Sequence, residues 1–243
     1  MRSGGRAHSR PTSTPRELCG DLVMAHSSIE PSRSLLYRSV YWLVKGAIWL
    51  IAEVDVEKLE LEPKVGEGLI IATNHRSYID IFVLLIVLRK WGISPHVFVR
   101  EDFLRLPVIG HVLRSMRAIP ATTRAARQAR ELLRAGSIVV LAPEGGVPRP
   151  EDRIDGVGEL KSGVGHMAAK LGTPILLVGA VNTDVAWPRD RPFPKIGVLS
   201  GSRPIVRVAT QYVAVRRGAD PGDVVREVRN GLVNILTRLE QRG

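Results

Sequence analysis

The feature that most constrains the fold is a regular alternation of short apolar runs with amphipathic stretches from Gly68 onward. The apolar runs predict strands at residues 69–73, 96–100, 118–120, 137–142 and 174–181. The stretches between them predict helices at residues 78–90, 103–116, 124–135 and 161–171. Strands that alternate with helices are typical of a parallel sheet covered by helices. We therefore predict an α/β fold: a single-domain sandwich with a largely parallel central sheet flanked by helices, preceded by an apolar N-terminal helix.

The C-terminal part of the chain adds two strand candidates, at residues 196–199 and 205–213. An amphipathic helix is predicted over residues 221–239, with Asp220 as its N-cap. The sequence contains no internal repeat and no interior linker. With 243 residues and 44% apolar content, the chain can bury one good core, so residues 59–243 are predicted to form one domain.

The charge balance limits the partners that the protein can have. The 35 Lys and Arg residues outnumber the 24 Asp and Glu residues, and the formal net charge is +11. This excess favours nucleic acid, an anionic membrane face or phosphate-bearing small molecules. Only 5% of the residues are aromatic, and none interleave with basic residues as in a base-stacking surface, so no nucleic acid is expected. The six histidines show no zinc-binding spacing, and no metal or other cofactor is expected.

The N-terminal residues divide into two segments. Residues 1–31 are rich in Ser, Arg, Pro and Gly and predict a disordered leader, or a translation start at Met24. Residues 32–58 contain an apolar segment, Leu35–Val54, whose two Trp and two Tyr residues are types enriched at the membrane headgroup level. These residues favour a helix that lies in the membrane interface, while a helix packed on the core and a spanning helix stay open. The interfacial helix predicts a peripheral or monotopic protein on the cytoplasmic face of the cell membrane.

A histidine and an aspartate follow the first predicted strand of the domain, in Asn74-His75-Arg76-Ser77-Tyr78-Ile79-Asp80. The carboxyl ends of strands in a parallel sheet are where functional sites gather. On one helix, His75 and Asp80 would point about 140° apart, so they can meet only if His75 lies in a loop and Asp80 in the first turns of the helix. The Ser77-x-x-Asp80 pattern resembles a capping box and supports that break. By spacing alone Asp80 is either a helix cap or the group that fixes the His75 tautomer, and the cap is favoured.

Several blocks in the chain together resemble the glycerolipid acyltransferase family, whose signature is Asn-His-x-x-x-x-Asp after a strand. Asn74, His75 and Asp80 match that signature. The other matching blocks are Arg100–Gly110 with its Pro107, Pro143-Glu144-Gly145, Lys161–Ala168, Thr173–Val178 and Gly201–Ile205. Each block alone is unspecific, whereas their joint order and spacing, across about Leu35 to Ile205, are specific to the family.

The resemblance implies an acyltransferase whose co-substrate is acyl-CoA or acyl carrier protein and whose acceptor is a lysophospholipid-like molecule. It implies that His75 is the general base for the acceptor hydroxyl, with Asp80 orienting it, and a neutral imidazole suits that task near neutral pH. No acyl-enzyme intermediate is required. The expected partner is a membrane lipid surface.

The resemblance also implies substrate-binding residues around this pair. Asn74 belongs to the signature, and Glu144 is expected to bind or order the acceptor, unless it is a cap or a surface acid. The backbone N–H groups of Gly145 and Gly146 are candidate donors to the tetrahedral oxyanion, because glycine lets the backbone approach closely.

Two positions depart from the family pattern. The third block usually continues Glu-Gly-Thr-Arg but reads on as Gly146-Val147 here, and Ala121 stands where the second block usually has an Arg. Those arginines are expected to hold the acceptor phosphate, since a guanidinium donates two bonds to phosphate oxygens. Arg117 and Arg124 are candidate substitutes, whereas Arg149 is more typical of a solvated surface charge. The alternatives are therefore a glycolipid or secondary-metabolite acceptor, or a non-catalytic relative that binds lipid or an acyl carrier.

Overall fold

The structure, a computed structural model, describes residues 35–57, 59, 66–115, 117–122 and 124–242. Within these ranges seven strands form one sheet in the order β1-β7-β6-β2-β5-β3-β4. The strands are β1 (Glu53–Val56), β2 (Leu69–Thr73), β3 (His96–Val99), β4 (Ile119–Pro120), β5 (Ile138–Leu141), β6 (Ile175–Val181) and β7 (Ile205–Val213). All neighbouring pairs are parallel except β6 and β7, which are antiparallel.

Helices cover both faces of this sheet. They are α1 (Leu35–Ile51), α2 (Asp80–Lys90), α3 (Glu101–Leu104), α4 (Pro107–Ser115), α5 (Ala125–Arg134), α6 (Gly163–Leu171), α7 (Thr183–Ala186) and α8 (Pro221–Glu240). Consecutive residues of a strand point to opposite faces, so Ile71 joins the buried cluster under α1 and α2, and Ile70 joins the cluster under α5, α6 and α8. Every residue of β6 is buried, as expected for a strand covered on both faces. The predicted α/β sandwich is confirmed.

Two glycines let α8 pack closely on the sheet. A Cβ at Gly231 of α8 would lie 2.3 Å from Cδ1 of Leu177, and one at Gly179 of β6 would lie 2.4 Å from Cγ2 of Ile235. Both separations are far below van der Waals contact, so neither position accepts a larger residue without moving the helix. Asp220 caps α8 as predicted, accepting bonds from the N–H groups of Gly222 and Asp223.

Four details of the sequence-based assignment differ from the structure. The segment predicted as one helix over 103–116 is broken into α3 and α4, because Pro107 cannot donate within a helix and disfavours helical geometry at the preceding residue. Residues 196–199, predicted as a strand, form a turn in which the Ser200 N–H donates to the Ile196 carbonyl at 3.2 Å. The short helix α7 was not expected.

The fourth difference is at the N-terminal helix, which was predicted over residues 32–58 but ends at Ile51. Residues 53–56 instead form β1, which pairs in parallel with β7 at the edge of the sheet. The Glu-Val-Asp-Val sequence alternates polar and apolar residues with the period of a strand, but it directly follows the apolar run and was therefore included in the predicted helix. The predicted leader, residues 1–31, lies outside the described residues.

Helix α1 has one face in the core and one face exposed. Val40, Val44 and Ile48, four residues apart, pack into the cluster with α2. Leu35, Trp42 and Trp49, seven residues apart, are exposed on another face. The core-packed and interfacial interpretations of this helix are therefore compatible with each other. Among the described helices, none combines the length and the apolar character that crossing a bilayer requires.

The sheet brings two loops together at the carboxyl ends of its central strands. Strands β2 and β5 are parallel neighbours, with Ala72 opposite Leu141, so both strands end at the same edge. The loop with His75 and the loop with Glu144 therefore emerge side by side, and β6 flanks β2 on its other side.

Candidate active site

His75 and Asp80 meet across the junction of a loop and a helix. The Nδ1 atom of His75 lies 2.7 Å from Oδ2 of Asp80, the first residue of α2. The same oxygen accepts bonds from the N–H groups of Arg76 at 2.7 Å and Ser77 at 2.8 Å. The predicted loop-then-helix geometry is thus present, with α2 beginning at residue 80 and not at residue 78. Asp80 both holds the loop and binds the histidine, but its side chain caps no N–H group of α2, so of the two roles left open by the spacing the contact with His75 is the one that forms.

Only half of the predicted capping box forms. Asp80 reaches back to the Ser77 N–H, as the acidic residue of such a box does. The Ser77 hydroxyl, however, accepts from the Ile79 N–H at 3.3 Å and donates to the Trp187 carbonyl. Ser77 therefore ties the histidine loop to the segment after α7, as well as to the start of α2.

The electrostatic surroundings of His75 raise its pKa above the ordinary value of 6.5. Burial lowers the pKa, and the positive charge of Arg153 lowers it further. The hydrogen bond and negative charge of Asp80, together with the charge of Glu144, raise the pKa by more than these two effects lower it. Because the Asp80 carboxylate accepts from Nδ1–H, the neutral ring carries its lone pair on Nε2. No described residue forms a hydrogen bond with Nε2. His75 lines a cavity, so this nitrogen is available to take a proton from a bound molecule.

Asn74 holds the loop in place and does not line the cavity. Its side chain is buried, with Nδ2 donating to the Ala180 carbonyl at 3.0 Å and Oδ1 accepting from the Ala180 N–H at 2.8 Å. These two bonds attach the histidine loop to β6. The geometry therefore does not support the prediction of Asn74 as a substrate-binding residue; it positions its neighbour His75.

Glu144 is also a connecting residue. Its Oε2 accepts from the His75 N–H at 2.7 Å, and its Oε1 accepts from the Gly158 N–H at 2.9 Å. Burial raises the pKa of Glu144, while these two backbone bonds oppose the rise. Both carboxylate oxygens are engaged inside the protein, and the side chain does not line the cavity. The prediction that Glu144 binds the acceptor is not supported by this arrangement.

A buried arginine that the sequence did not point to supports the same loop. Only 6% of the Arg153 side chain is exposed. Its guanidinium donates to Asp184 at 2.8 Å and to the backbone carbonyls of Arg76 at 3.0 Å and Pro148 at 3.2 Å. One side chain therefore joins α7, the histidine loop and the loop after β5. No sequence motif marks Arg153, since its role depends on a fold that brings three distant segments together.

The cavity beside His75 has a volume of about 920 Å³. Its wall is mainly apolar and comes from α2 to α6 and strands β3 and β5. Among the apolar lining residues are Phe82, Leu84, Phe103, Leu113, Val140 and Met167. A concave, largely apolar site with a few polar groups in its wall is the form expected for binding a chain-like apolar substrate.

The two glycines after Glu144 line the cavity but differ as donors. The Gly145 N–H already donates to the Ala142 carbonyl at 3.0 Å, within a turn in which Gly145 has a φ of 75° that favours glycine. The Gly146 N–H forms no hydrogen bond with any residue in the described ranges. Of the two predicted oxyanion donors, Gly146 is therefore the available one.

The cavity wall contains the two positions that depart from the family pattern. Ala121 and Val147 both line the cavity, so arginines at these positions would face its interior. The candidate substitutes Arg117 and Arg124 do not line it, since Arg117 lies beside His96 and Arg124 is exposed. Arg149 is exposed and 3.9 Å from Glu151, as expected for a surface charge. The geometry does not support Arg117 or Arg124 as acceptor-binding residues.

Three other cations line the cavity: Arg100, Lys161 and Arg189. Arg100 pairs with Asp102 at 2.7 Å, and Lys161 lies 3.9 Å from Glu159. Arg189 forms no ion pair with any of the described residues. Arg100 and Lys161 belong to two of the blocks that resemble the family, and this resemblance was the sequence signal that could have identified them as site residues. Arg189 follows α7 and belongs to no such block.

Comparison with known proteins matches the part of the chain that contains His75, Asp80 and Glu144. A family model described as Acyltransferase matches residues 53–180, more than half of the 243 residues. Chloroplastic 1-acyl-sn-glycerol-3-phosphate acyltransferases of Brassica napus and Arabidopsis thaliana are each 26% identical to this chain over 149 residues. Each alignment covers 58% of this chain but only 41% and 40% of the respective relative. The chain thus spans about two fifths of the length of these relatives.

A solved structure has the same fold. The crystal structure of the 1-acyl-sn-glycerophosphate acyltransferase PlsC from Thermotoga maritima superposes with a TM-score of 0.68 and is 21% identical in sequence. The superposition covers 92% of this chain and 89% of that chain.

Proposed function

The chain belongs to the acyltransferase family, and we propose that it is a membrane-associated enzyme that moves a fatty acyl group from acyl-CoA or acyl carrier protein to a hydroxyl of a lysophospholipid-like acceptor. The observation that carries this proposal is the 2.7 Å contact between Nδ1 of His75 and Asp80 at the wall of a large apolar cavity. It leaves Nε2 as the base, beside a space suited to an acyl chain.

The reaction follows from these positions. Nε2 of His75 takes the proton of the acceptor hydroxyl as the oxygen attacks the thioester carbonyl, and a tetrahedral oxyanion forms. The Gly146 N–H is the candidate donor to that oxyanion. Collapse of the intermediate breaks the C–S bond, and the departing thiolate takes the proton from the imidazolium. The products are an ester and a free thiol, and His75 returns to its neutral form.

The acyl chain of the donor is assigned to the cavity. Each methylene that leaves water contributes about 0.8 kcal/mol, so an apolar wall of this size gives a long chain substantial binding energy. The polar head of the acceptor is assigned to the cationic lining residues Arg100, Lys161 and Arg189.

Association with the cytoplasmic face of the cell membrane is part of the proposal. The support is the exposed stripe of α1, where Leu35, Trp42 and Trp49 face solvent, together with the net charge of +11. Lys45 lies 4.9 Å from the ring centre of Trp42, which places an ammonium group beside an aromatic ring as interfacial segments commonly do.

A second acceptor class is favoured by one observation. Ala121 and Val147 line the cavity without charge, at positions where arginines would hold a phosphate. An acceptor without a phosphate monoester, such as a glycolipid or a secondary-metabolite alcohol, would fit this wall better.

The test is thiol release from acyl-CoA donors of several chain lengths and from acyl carrier protein, measured with the full chain and a panel of acceptors. The panel contains lysophosphatidic acid, other lysophospholipids, a glycolipid and a control without acceptor. Acylation of a lysophospholipid is the expected result. Acylation of the glycolipid alone would instead support the second acceptor class. Absence of transfer to every acceptor would contradict an enzymatic role and favour a non-catalytic relative that binds lipid or an acyl carrier.

A further inference from the structure

The segment between α7 and β7 exposes large apolar side chains. Phe193 is 77% exposed and Leu199 is 81% exposed, and Ile196 and Val198 are also open to solvent. Single exposed apolar residues are ordinary on a protein surface, but a cluster in one short segment marks an interaction site.

This segment lies directly against the C-terminal end of α1. The Val198 N–H donates to the Leu50 carbonyl at 3.1 Å. Arg203 donates to the Trp49 carbonyl at 3.0 Å, and its guanidinium lies 5.1 Å from the centre of the Trp49 ring. The exposed side chains of Trp49 and Leu50 therefore continue into those of Val198 and Leu199, and the two elements form one surface.

Positive charges accompany the apolar residues. Helix α1 contributes Arg38 and Lys45 and no acidic residue. The segment contributes more basic residues, with Asp190 as the only acidic residue between Pro188 and Arg203. These basic residues are Arg189, Arg191, Lys195 and Arg203. An apolar surface bordered by cations is complementary to a bilayer that contains anionic lipids.

The surface also adjoins the cavity. Trp187 and Arg189, at the start of the segment, line the cavity. The Lys195 N–H donates to the Ala186 carbonyl at 3.0 Å, which folds the segment back onto α7. The surface and the cavity therefore share a border at Trp187 and Arg189.

We propose that residues 193–203 and the exposed stripe of α1 together form a docking surface for an anionic lipid bilayer, with the cavity at its border. This inference rests on the proposed membrane association and extends it to a segment outside the N-terminal helix. In this arrangement Phe193 and Leu199 insert among the lipid headgroups, and the neighbouring basic residues contact lipid phosphates.

An environment-sensitive fluorophore tests insertion directly. The only cysteine, Cys19, is replaced by serine, and a nitrobenzoxadiazole group is attached to Leu199→Cys or, as a control, to Ile154→Cys. Ile154 is 69% exposed in the loop that binds Arg229 of α8, on the opposite side of the sheet from α1. Vesicles of phosphatidylcholine with phosphatidylglycerol should shift the emission to the blue at position 199 and not at position 154. Equal responses at the two positions, or equal responses to pure phosphatidylcholine vesicles, would overturn the proposal.

Sedimentation with the same vesicles separates this inference from the proposed membrane association. We expect Phe193→Asp/Leu199→Asp to weaken vesicle binding about tenfold or more, because apolar burial and charge both favour binding at this surface. The matched Ile154→Asp variant should bind like the wild type, and circular dichroism checks that both variants are folded. If the wild type binds and the double variant binds equally well while Trp42→Asp does not, the segment is not part of the surface, although the membrane association stands. If the wild type binds neither vesicle, both proposals fail.

Discussion

Nδ1 of His75 lies 2.7 Å from Oδ2 of Asp80, and that single oxygen also accepts the two main-chain bonds that shape the histidine loop. The other oxygen, Oδ1, is buried and has no hydrogen-bond partner among the described residues. An asparagine at this position can therefore retain the three bonds to Oδ2 while losing the charge.

Replacing Asp80 with asparagine should lower the activity and shift its pH dependence. Because a general base works when neutral, kcat/KM should rise with pH around the pKa of His75. The bond and charge of Asp80 raise that pKa, so Asp80→Asn should move the rise to lower pH. We expect the plateau to fall about 100-fold or more, as the negative charge that stabilises the imidazolium is lost. A pH–rate profile with an unmoved midpoint would contradict the assignment.

Removing the buried Arg153 should have the opposite effect on the midpoint. The positive charge of Arg153 lowers the pKa of His75, so Arg153→Met should move the rise of kcat/KM to higher pH. The substitution also removes the hydrogen bonds that Arg153 donates to Asp184 and to the Arg76 and Pro148 carbonyls. Because Arg76 still lies 3.8 Å from Asp184, we expect a cost of about 2 kcal/mol in the free energy of unfolding. Arg149→Met, in the same loop but exposed, is the matched control and should change neither quantity. Urea unfolding and the pH–rate profile measure the two effects.

The separate effects of a Glu144 substitution on kcat and on KM distinguish a positioning role from an acceptor-binding role. Glu144 joins the His75 N–H to the Gly158 N–H and does not line the cavity. In Glu144→Gln, one of these N–H groups must face an amide NH₂, which displaces the histidine loop. We expect kcat to fall about tenfold or more while KM for the acceptor changes little. A rise in KM alone would restore Glu144 as an acceptor-binding residue.

The cavity cations should determine how well a charged acceptor binds. If Lys161 and Arg189 contact an anionic headgroup, Lys161→Met and Arg189→Met should each raise KM for that acceptor about tenfold, the usual effect of losing a charged hydrogen bond. Arg124→Met, close in sequence to the cavity wall but absent from it, is the control. Equal KM values in all four proteins would show that these side chains do not recognise the acceptor.

The sequence was sufficient for the parts of the fold and site that depend on local pattern. The alternation of strands and helices led to the parallel sheet, and the five-residue spacing required a loop at His75 and a helix at Asp80. Local pattern could not reveal contacts between distant segments. The family resemblance led to the expectation that Glu144 binds or orders the acceptor. The sequence gives no sign that the His75 and Gly158 N–H groups occupy both of its oxygens.

The same limit applies to the cations. Arg117 and Arg124 are close in sequence to Ala121, where the family usually has an arginine, yet neither lines the cavity. Arg189 lines it from a segment about seventy residues further on, which only the close approach of α7 to the histidine loop explains. Arg153 is buried for the same reason, since its partners come from three segments.

The most direct test of the account is the turnover of His75→Ala, with His111→Ala as a control at an exposed histidine. Both variants are assayed by thiol release with the acceptor that the wild type uses, and both are checked for folding by circular dichroism and thermal unfolding. Loss of the general base predicts a fall in kcat of at least about 100-fold in His75→Ala, with no change in His111→Ala. Wild-type turnover by a folded His75→Ala protein would contradict the account.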